Sequence, residues 1–100
     1  MIKHANNENF NELVGEGRVL VDFFATWCGP CKMLSLVIEK LDEKNVIPII
    51  KVDVDECEEI SGNLKIFSIP TLIIFENGKE LKRKTGYMSL DELESWVNNE

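Results

Sequence analysis

The chain has 100 residues, 44% of them hydrophobic, and a formal net charge of -7, which together predict a single globular domain over residues 1–100. The negative charge argues against nucleic acid or an anionic membrane as a partner, because both attract clustered Lys and Arg. No apolar run approaches the roughly 18 residues of a membrane span and no signal-peptide pattern follows Met1, so we expect a cytoplasmic protein without membrane contact.

The first half of the chain alternates between strand and helix patterns. Residues 2–4 predict a short edge strand, and residues 7–14 and 31–44 place apolar side chains at helical spacing. Residues 19–25 and 47–54 are almost continuously apolar, which is typical of strands buried on both faces of a parallel sheet. A strand, a long helix and a second strand predict a right-handed crossover unit. The predicted inward face of the long helix consists of Met33, Leu34, Val37, Ile38 and Leu41.

The second half predicts a short helix, a hairpin and a terminal helix. Residues 56–64 form an acidic helical segment, and residues 71–75 a third apolar strand. The Asn-Gly pair at 77–78 is a strong signal for a two-residue hairpin turn, which leads into a basic strand over residues 79–85. Residues 89–92 form a capping box at the start of the last helix. The element order β-α-β-α-β-α-β-β-α predicts an α/β fold with a central mixed five-stranded sheet flanked by four helices.

Two of the three cysteines, Cys28 and Cys31, stand between a buried strand and a helix. A helix N-terminus carries partial positive charge and unpaired N–H groups, which stabilise the nucleophilic thiolate form of Cys28. Residues at i and i+3 meet across a helical turn, so Cys31 can close a small disulfide ring with Cys28. Pro30 suits an early helical position, and Gly29 keeps the surface low enough for a protein disulfide to approach. The pattern predicts thiol–disulfide exchange.

A zinc site and an unrelated pair of core cysteines are the alternative interpretations of this spacing. Zinc needs more ligands, and the only further candidates, Cys57 and His4, have no partner at ligand spacing, so we expect no bound metal. A core pair is disfavoured because Gly and Pro separate the two cysteines. Cys57 itself is interpreted as structural or merely tolerated, and the alternative for it is a regulatory or dimer-forming thiol.

The segments around the cysteine pair resemble those of the thioredoxin family. The similar segments are residues 21–33 with Trp-Cys-Gly-Pro-Cys at 27–31, residues 51–55, Ile69-Pro70-Thr71, and Asn77-Gly78 followed by Gly86. They occur in family order over essentially the whole chain. Protein disulfide isomerases usually carry Gly-His between the cysteines and glutaredoxins Pro-Tyr, so Gly-Pro favours the thioredoxins.

The resemblance implies a function as well as a thioredoxin fold. It implies a protein-disulfide reductase in which Cys28 is the nucleophile and Cys31 the resolving thiol. The implied partners are disulfide-containing client proteins and an NADPH-dependent thioredoxin reductase, with no bound cofactor, and we expect a monomer. One departure is Leu36, which stands where most members have a proline that kinks the long helix, so this helix is expected to be straighter.

Asp22 and Lys51 are charged residues within two apolar strand segments. Burying a lone charge costs several kcal/mol unless the charge is paired or neutralised, so a structural ion pair is one interpretation. The other is a buried carboxyl behind the cysteines, its pKa raised by desolvation, that takes the proton from Cys31 when this thiol attacks. The resemblance implies that role for Asp22, and a catalytic role for Lys51 beside it.

The remaining candidate residues are expected to form a shallow apolar surface around Cys28. Pro70 is tolerated at the start of a strand because it need not donate to the ladder there. The resemblance implies a cis Ile69–Pro70 bond packed against the cysteine pair, which leaves the Ile69 backbone free to pair with an extended client segment. Tyr87 is larger than the residue that many family members carry at this position. We expect its size to narrow the range of client proteins. The predicted surface comprises Trp27, Gly29, Pro30, Ile69, Pro70, Gly86 and Tyr87.

Two other functions remain as alternatives. One is a binding module of the same fold with idle cysteines, against which the intact cysteine pair, Gly-Pro, Asp22 and Pro70 argue together. The other is an oxidase or isomerase of an oxidising compartment, which needs a signal sequence and usually a different dipeptide between the cysteines. Insulin reduction discriminates the first alternative, and the redox potential of the cysteine pair discriminates the second.

Overall fold

The fold is a five-stranded mixed sheet with helices on both faces. The structure, a computed structural model, describes residues 1–99. The elements are β1 (Ile2–His4), α1 (Phe10–Leu13), β2 (Arg18–Phe24), α2 (Gly29–Glu43), β3 (Ile49–Asp53), α3 (Glu58–Asn63), β4 (Thr71–Glu76), β5 (Lys79–Thr85) and α4 (Leu90–Asn98). This order confirms the predicted fold class. Apart from the start of α1, the boundaries lie within one or two residues of those predicted.

The strand order of the sheet places the ends of β2 and β3 side by side. The order is β1-β3-β2-β4-β5, with β3 parallel to both β1 and β2 and with β4 antiparallel to β2 and β5. The register sets Asp22 directly beside Lys51 on the adjacent strand, so the two side chains lie on the same face of the sheet. Parallel strands end at one edge, and the segments that follow β2 and β3 are therefore neighbours.

An apolar core fills each face of the sheet. On one face, Leu20 of β2 packs in a cluster with side chains of α2 and α4. On the other, Val21 and Phe23 pack in a second cluster with side chains of α1 and α3. Successive strand residues point to opposite faces, so a central strand covered on both sides needs apolar residues at nearly every position. Among the buried residues of β2, Val19 to Phe23, Asp22 is the charged exception.

The first helix is shorter than predicted. The pattern over residues 7–14 predicts a helical start near residue 7, but α1 begins at Phe10. The Asn6 side chain explains the difference, because its Oδ1 accepts hydrogen bonds from the backbone N–H groups of Glu8 and Asn9 at 2.8 Å each. Asn side chains compete with the helix for backbone donors in this way and stabilise turns instead.

The prediction that Met33 faces the core is wrong. Its side chain is 58% exposed, and it lines a shallow cavity with Leu36 and Tyr87. The buried residues of α2 downstream of the cysteines are Leu34, Val37, Ile38 and Leu41. These repeat at i, i+3, i+4 and i+7, and a residue next to such a stripe is rotated off it by about 100°. Met33 therefore belongs to the outer flank of the helix.

Two local predictions in the second half are confirmed. Asn77 and Gly78 both have positive φ, 51° and 85°, as the hairpin turn preferred between twisted strands requires. Ser89 and Glu92 form the reciprocal hydrogen bonds of a capping box at the start of α4. Among residues 1–99, no helix combines the length and hydrophobicity that a membrane crossing requires.

Candidate active site

Cys28 and Cys31 form a disulfide at the N-terminal end of α2, with their Cα atoms 5.2 Å apart. Cys28 is the N-cap of the helix, and its Sγ accepts a hydrogen bond from the backbone N–H of Cys31 at 3.2 Å. The helix begins at Gly29 rather than at the predicted residue 31, which places Pro30 in the first turn. The same N–H and the helix dipole are available to stabilise a thiolate on Cys28 after reduction.

The two cysteines are nearly buried. Cys28 is 5% and Cys31 3% exposed, and both belong to a small apolar cluster with Ala25. Gly29 is exposed beside them, and a Cβ built at this position meets no atom within 4 Å. The space beside Gly29, next to the disulfide, is therefore open.

The loop before β4 lies against the cysteine cluster. The Ile69–Pro70 peptide bond is cis, as the resemblance implies, and the Ile69 side chain packs on the cluster that contains the cysteines. The Pro70 carbonyl accepts a hydrogen bond from the Gly86 N–H at 2.8 Å, which joins this loop to the end of β5. Within residues 1–99 the Ile69 backbone makes no backbone hydrogen bond. Its N–H and C=O remain available to a partner.

Most of the predicted surface residues are accessible. Trp27 is 70% and Tyr87 47% exposed, Gly29 and Pro30 are exposed, and Ile69 and Gly86 are partly exposed. The exception is Pro70, which is buried. Pro70 therefore offers little contact area of its own.

The exposed indole ring of Trp27 is held by a residue that the sequence analysis missed. Its Nε1–H donates a hydrogen bond to Asp55 Oδ2 at 2.8 Å. Trp27 follows β2 and Asp55 follows β3, and these parallel strands end at the same edge of the sheet. That shared edge is the signal that could have identified Asp55 as a partner of the indole.

Asp22 and Lys51 form a buried salt bridge that is longer than a normal hydrogen bond. Asp22 is completely buried, and its Oδ2 lies 3.6 Å from Lys51 Nζ. Neither carboxylate oxygen of Asp22 has a hydrogen-bond partner among the described residues. Burial raises the pKa of Asp22 to about 6, and the positive charge of Lys51 opposes this rise. The carboxyl group is therefore mostly ionised at neutral pH and has an affinity for protons well above that of an ordinary Asp.

Lys51 also contacts two other groups. Its Nζ donates a hydrogen bond to Ser35 Oγ at 2.7 Å and lies 4.7 Å from the centre of the Phe24 ring. Cys31, Ser35 and Lys51 line a common cavity of about 270 Å³. Cys31 and the ammonium group beside Asp22 therefore face the same space. Ser35 is not among the residues predicted for the site, although its place four residues after Cys31 puts both on one helical face.

The residues considered for a metal do not assemble a site. Among residues 1–99, no group of three or more His, Cys, Asp or Glu side chains could hold a metal ion. Cys57 is a buried free thiol whose Sγ contacts the Ala5 carbonyl oxygen at 3.6 Å. Burial raises the pKa of Cys57, and the carboxylates of Asp53 and Glu56 raise it further. A thiol kept protonated in this way is a poor nucleophile, which favours the structural interpretation of Cys57.

Comparison with known proteins gives similarity over nearly the entire chain. The family model described as Thioredoxin matches residues 1–99. A thioredoxin of Chlamydia caviae is 44% identical over 99 residues, which cover 98% of this chain and 97% of that protein. A thioredoxin of Bacillus subtilis is 39% identical over 99 residues, covering 97% and 95%. The solved thioredoxin of Malassezia sympodialis, Mala s 13, has a TM-score of 0.88 at 32% identity and covers 96% of this chain and 89% of its own.

Proposed function

The chain belongs to the thioredoxin family and is a thiol–disulfide oxidoreductase, and we propose that it reduces protein disulfides with Cys28 as nucleophile and Cys31 as resolving thiol. The roles of the two cysteines are assigned from one observation, the position of Cys28 at the start of α2. Cys28 is the N-cap of α2, so its sulfur receives the N–H group and the dipole of the helix. Cys31 lies inside the first turn, within reach of the Cys28 sulfur.

The first half of the reaction joins this chain to a client. The Cys28 thiolate attacks one sulfur of the client disulfide, the S–S bond of the client breaks, and a mixed disulfide forms. The second client sulfur leaves as a thiolate and takes a proton from solvent. The open space above Gly29 supports approach of a protein disulfide along this path.

The second half releases the client and needs a base. Cys31 passes its proton to Asp22, and its thiolate attacks the Cys28 sulfur. The Cys28–Cys31 disulfide forms as the bond between Cys28 and the client breaks. The client sulfur leaves as a thiolate and takes a proton from solvent, while Asp22 releases its proton to solvent, so two electrons have moved to the client. Support comes from Asp22, whose pKa of about 6 suits a proton acceptor at neutral pH. A cavity of about 270 Å³ beside Cys31 and Lys51 has room for water that can carry the proton.

The proposed docking surface is continuous with this site. An extended client segment pairs with the free N–H and C=O of Ile69 by strand addition, while Trp27 and Tyr87 contact its apolar side chains. The missing backbone hydrogen bonds of Ile69 and the exposure of both aromatic rings support this arrangement. Gly86, Gly29 and the surface of Pro30 complete the edge of the docking area.

Reduction of the protein itself requires a second partner. Family membership implies a thioredoxin reductase that supplies electrons from NADPH. We propose that the chain acts as a monomer in the cytoplasm, because a net reductase needs a compartment whose reductants return its disulfide to the dithiol. A strongly reducing potential of the Cys28–Cys31 pair is expected in that case, and an oxidising potential would contradict the proposed direction.

Insulin reduction in the presence of dithiothreitol tests the function. We expect the protein to reduce insulin well above the dithiothreitol blank and Cys28→Ser to reduce it at the blank rate. Cys31→Ser is the matched variant, and we expect it to accumulate as a mixed disulfide with insulin, visible by non-reducing electrophoresis. A parent protein no faster than the blank would support the binding module instead. Trapping by Cys28→Ser rather than by Cys31→Ser would reverse the assigned roles.

A further inference from the structure

The ammonium group of Lys51 has a closer partner than Asp22. Its Nζ lies 2.7 Å from Ser35 Oγ but 3.6 Å from Asp22 Oδ2. The first distance is that of a hydrogen bond, and the second is beyond the usual range. Both oxygens of Asp22 are without a hydrogen-bond partner in the part of the chain that the structure describes. The ammonium therefore forms an ion pair with the buried carboxylate over a distance longer than that of its hydrogen bond to Ser35.

Ser35 is a residue of α2 that contacts the buried pair through Lys51. It lies four residues after Cys31, on the same face of the helix, and it is only partly exposed. Ser35, Cys31 and Lys51 line one cavity. Because Ser35 Oγ accepts a hydrogen bond from Lys51 Nζ at 2.7 Å, the hydroxyl group of Ser35 is in a position to set where the ammonium lies.

We propose that Ser35 is a positioning residue that draws the Lys51 ammonium away from the Asp22 carboxylate and so keeps Asp22 a free proton acceptor for Cys31. The inference rests on the proposed role of Asp22. A carboxylate that accepts a charge-assisted hydrogen bond is stabilised in its ionised form, and a stabilised carboxylate is a weaker base. The ammonium has three N–H donors, so Ser35 acts on its position: the 2.7 Å hydrogen bond to Ser35 Oγ holds Nζ at 3.6 Å from the carboxylate.

The titratable and charged groups that face Asp22 come from three elements. Lys51 on β3 lies 3.6 Å from the carboxylate, and Cys31 on α2 lines a cavity together with Lys51. Lys32 lines the same cavity on α2 but is exposed. His4 pairs with Lys51 in the β1–β3 register and is also exposed, while the β4 residue opposite Asp22 is apolar. A displacement of the Lys51 ammonium is therefore expected to change the pKa of Asp22 more than a change at any of these other groups.

Ser35→Ala removes the hydroxyl group and places a residue of high helix propensity at this position of α2. The Lys51 ammonium then loses its nearest acceptor, and the Asp22 carboxylate is the next one, within about 1 Å of charge-assisted hydrogen-bonding distance. We expect the ammonium to move onto the carboxylate. Asp22 then binds its proton less tightly, and the pH at which it begins to accept protons falls. Ser35→Thr keeps the hydroxyl and is expected to keep the parent behaviour.

The test measures release of the client from the mixed disulfide in single turnovers between about pH 5 and pH 8. We expect the midpoint of the rate profile to lie on the order of half a pH unit lower in Ser35→Ala than in the parent, and the plateau rate above the midpoint to fall. Ser35→Thr is expected to have the parent midpoint. Ser95→Ala, which removes an exposed serine of α4, is the matched control and is also expected to keep it.

A second measurement covers the case in which Ser35→Ala changes the rate for other reasons. The ¹³C chemical shift of the Asp22 carboxyl, followed against pH in the oxidised protein, reports its protonation directly and is expected to show the same downward displacement. An unchanged or higher midpoint in Ser35→Ala by this measurement would overturn the role of Ser35. If Asp22→Asn leaves the rate profile of client release unchanged, the proposed function of Asp22 fails instead, and the inference about Ser35 fails with it.

Discussion

Asp22→Asn replaces a buried carboxyl group by an amide of nearly the same shape that cannot ionise. The parent residue is fully buried, and neither of its oxygens has a hydrogen-bond partner in the described structure. Its charge is therefore compensated only by Lys51 at 3.6 Å. We expect the variant to be more stable than the parent at neutral pH, because the folded parent bears the cost of this charge.

The magnitude follows from the pKa of Asp22. Burial raises this pKa from 3.8 to about 6, despite the opposing charge of Lys51, and about 1.4 kcal/mol corresponds to each pH unit, so the difference amounts to about 3 kcal/mol. Below pH 3.8 the carboxyl is protonated in both the folded and the unfolded chain, so parent and variant have similar stability. As the pH rises from 3.8 through about 6, the parent loses stability relative to Asp22→Asn, because its buried carboxyl ionises less readily than the carboxyl of the unfolded chain. Above about pH 6 the difference in unfolding free energy between the two proteins stays constant.

Urea unfolding of the oxidised proteins, followed by Trp fluorescence at several pH values, measures this difference. At pH 7 we expect the midpoint of Asp22→Asn to lie about 1–3 M higher in urea, for the m-values typical of small proteins. Asp91→Asn removes an exposed carboxylate at the start of α4 and is expected to change the free energy of unfolding by no more than about 1 kcal/mol. Equal midpoints at pH 7, or an advantage that grows toward pH 4, would refute the reasoning.

Two further predictions concern contacts outside the buried pair. Asp55→Ala removes the acceptor of the Trp27 indole N–H, and we expect kcat/KM for a protein disulfide to fall about threefold to tenfold, as suits a hydrogen bond worth about 0.5–1.5 kcal/mol. We expect kcat/KM for a small disulfide to stay unchanged in this variant. An equal loss for both substrates would contradict a docking role of the Trp27–Asp55 contact. Ser89→Ala removes the cap of α4 and is expected to lower the free energy of unfolding by about 1 kcal/mol in a urea titration. Insulin reduction by that variant is expected to match the parent, so a large loss of activity would contradict a purely structural role.

Local chemistry explains the elements that could be predicted from sequence. The alternation of buried strands with an amphipathic helix identified β2, α2 and β3, and the Asn-Gly pair identified the hairpin between β4 and β5. The misplaced start of α1 arose from competition between the Asn6 side chain and the helix for the same N–H groups. The error at Met33 arose because one apolar residue beside a hydrophobic stripe cannot be distinguished by composition from a member of the stripe.

The cysteine site was predictable because its chemistry is local. A strand end, two cysteines at i and i+3 and a helix start lie within a few residues, so a reactive thiol near a helix N-terminus could be predicted. The predicted helix began at residue 31, and the structure makes Cys28 its N-cap. Asp22 and Lys51 were recognisable as charges in apolar strands, but the resemblance, not the pattern, supplied their roles. Their distance and the absence of a direct hydrogen bond depend on the register of β2 and β3.

The sequence by itself determined the fold class, the pair of reactive sulfurs and which charged residues are buried, because periodicity, capping and spacing are properties of neighbouring residues. Only the tertiary structure decided that Trp27 is held by Asp55 and that the Lys51 ammonium rests on Ser35 rather than on the buried carboxylate. Both depend on where parallel strands end and how a helix lies across them. Contacts between side chains far apart in the chain are set by that packing, to within fractions of an ångström that no local pattern encodes.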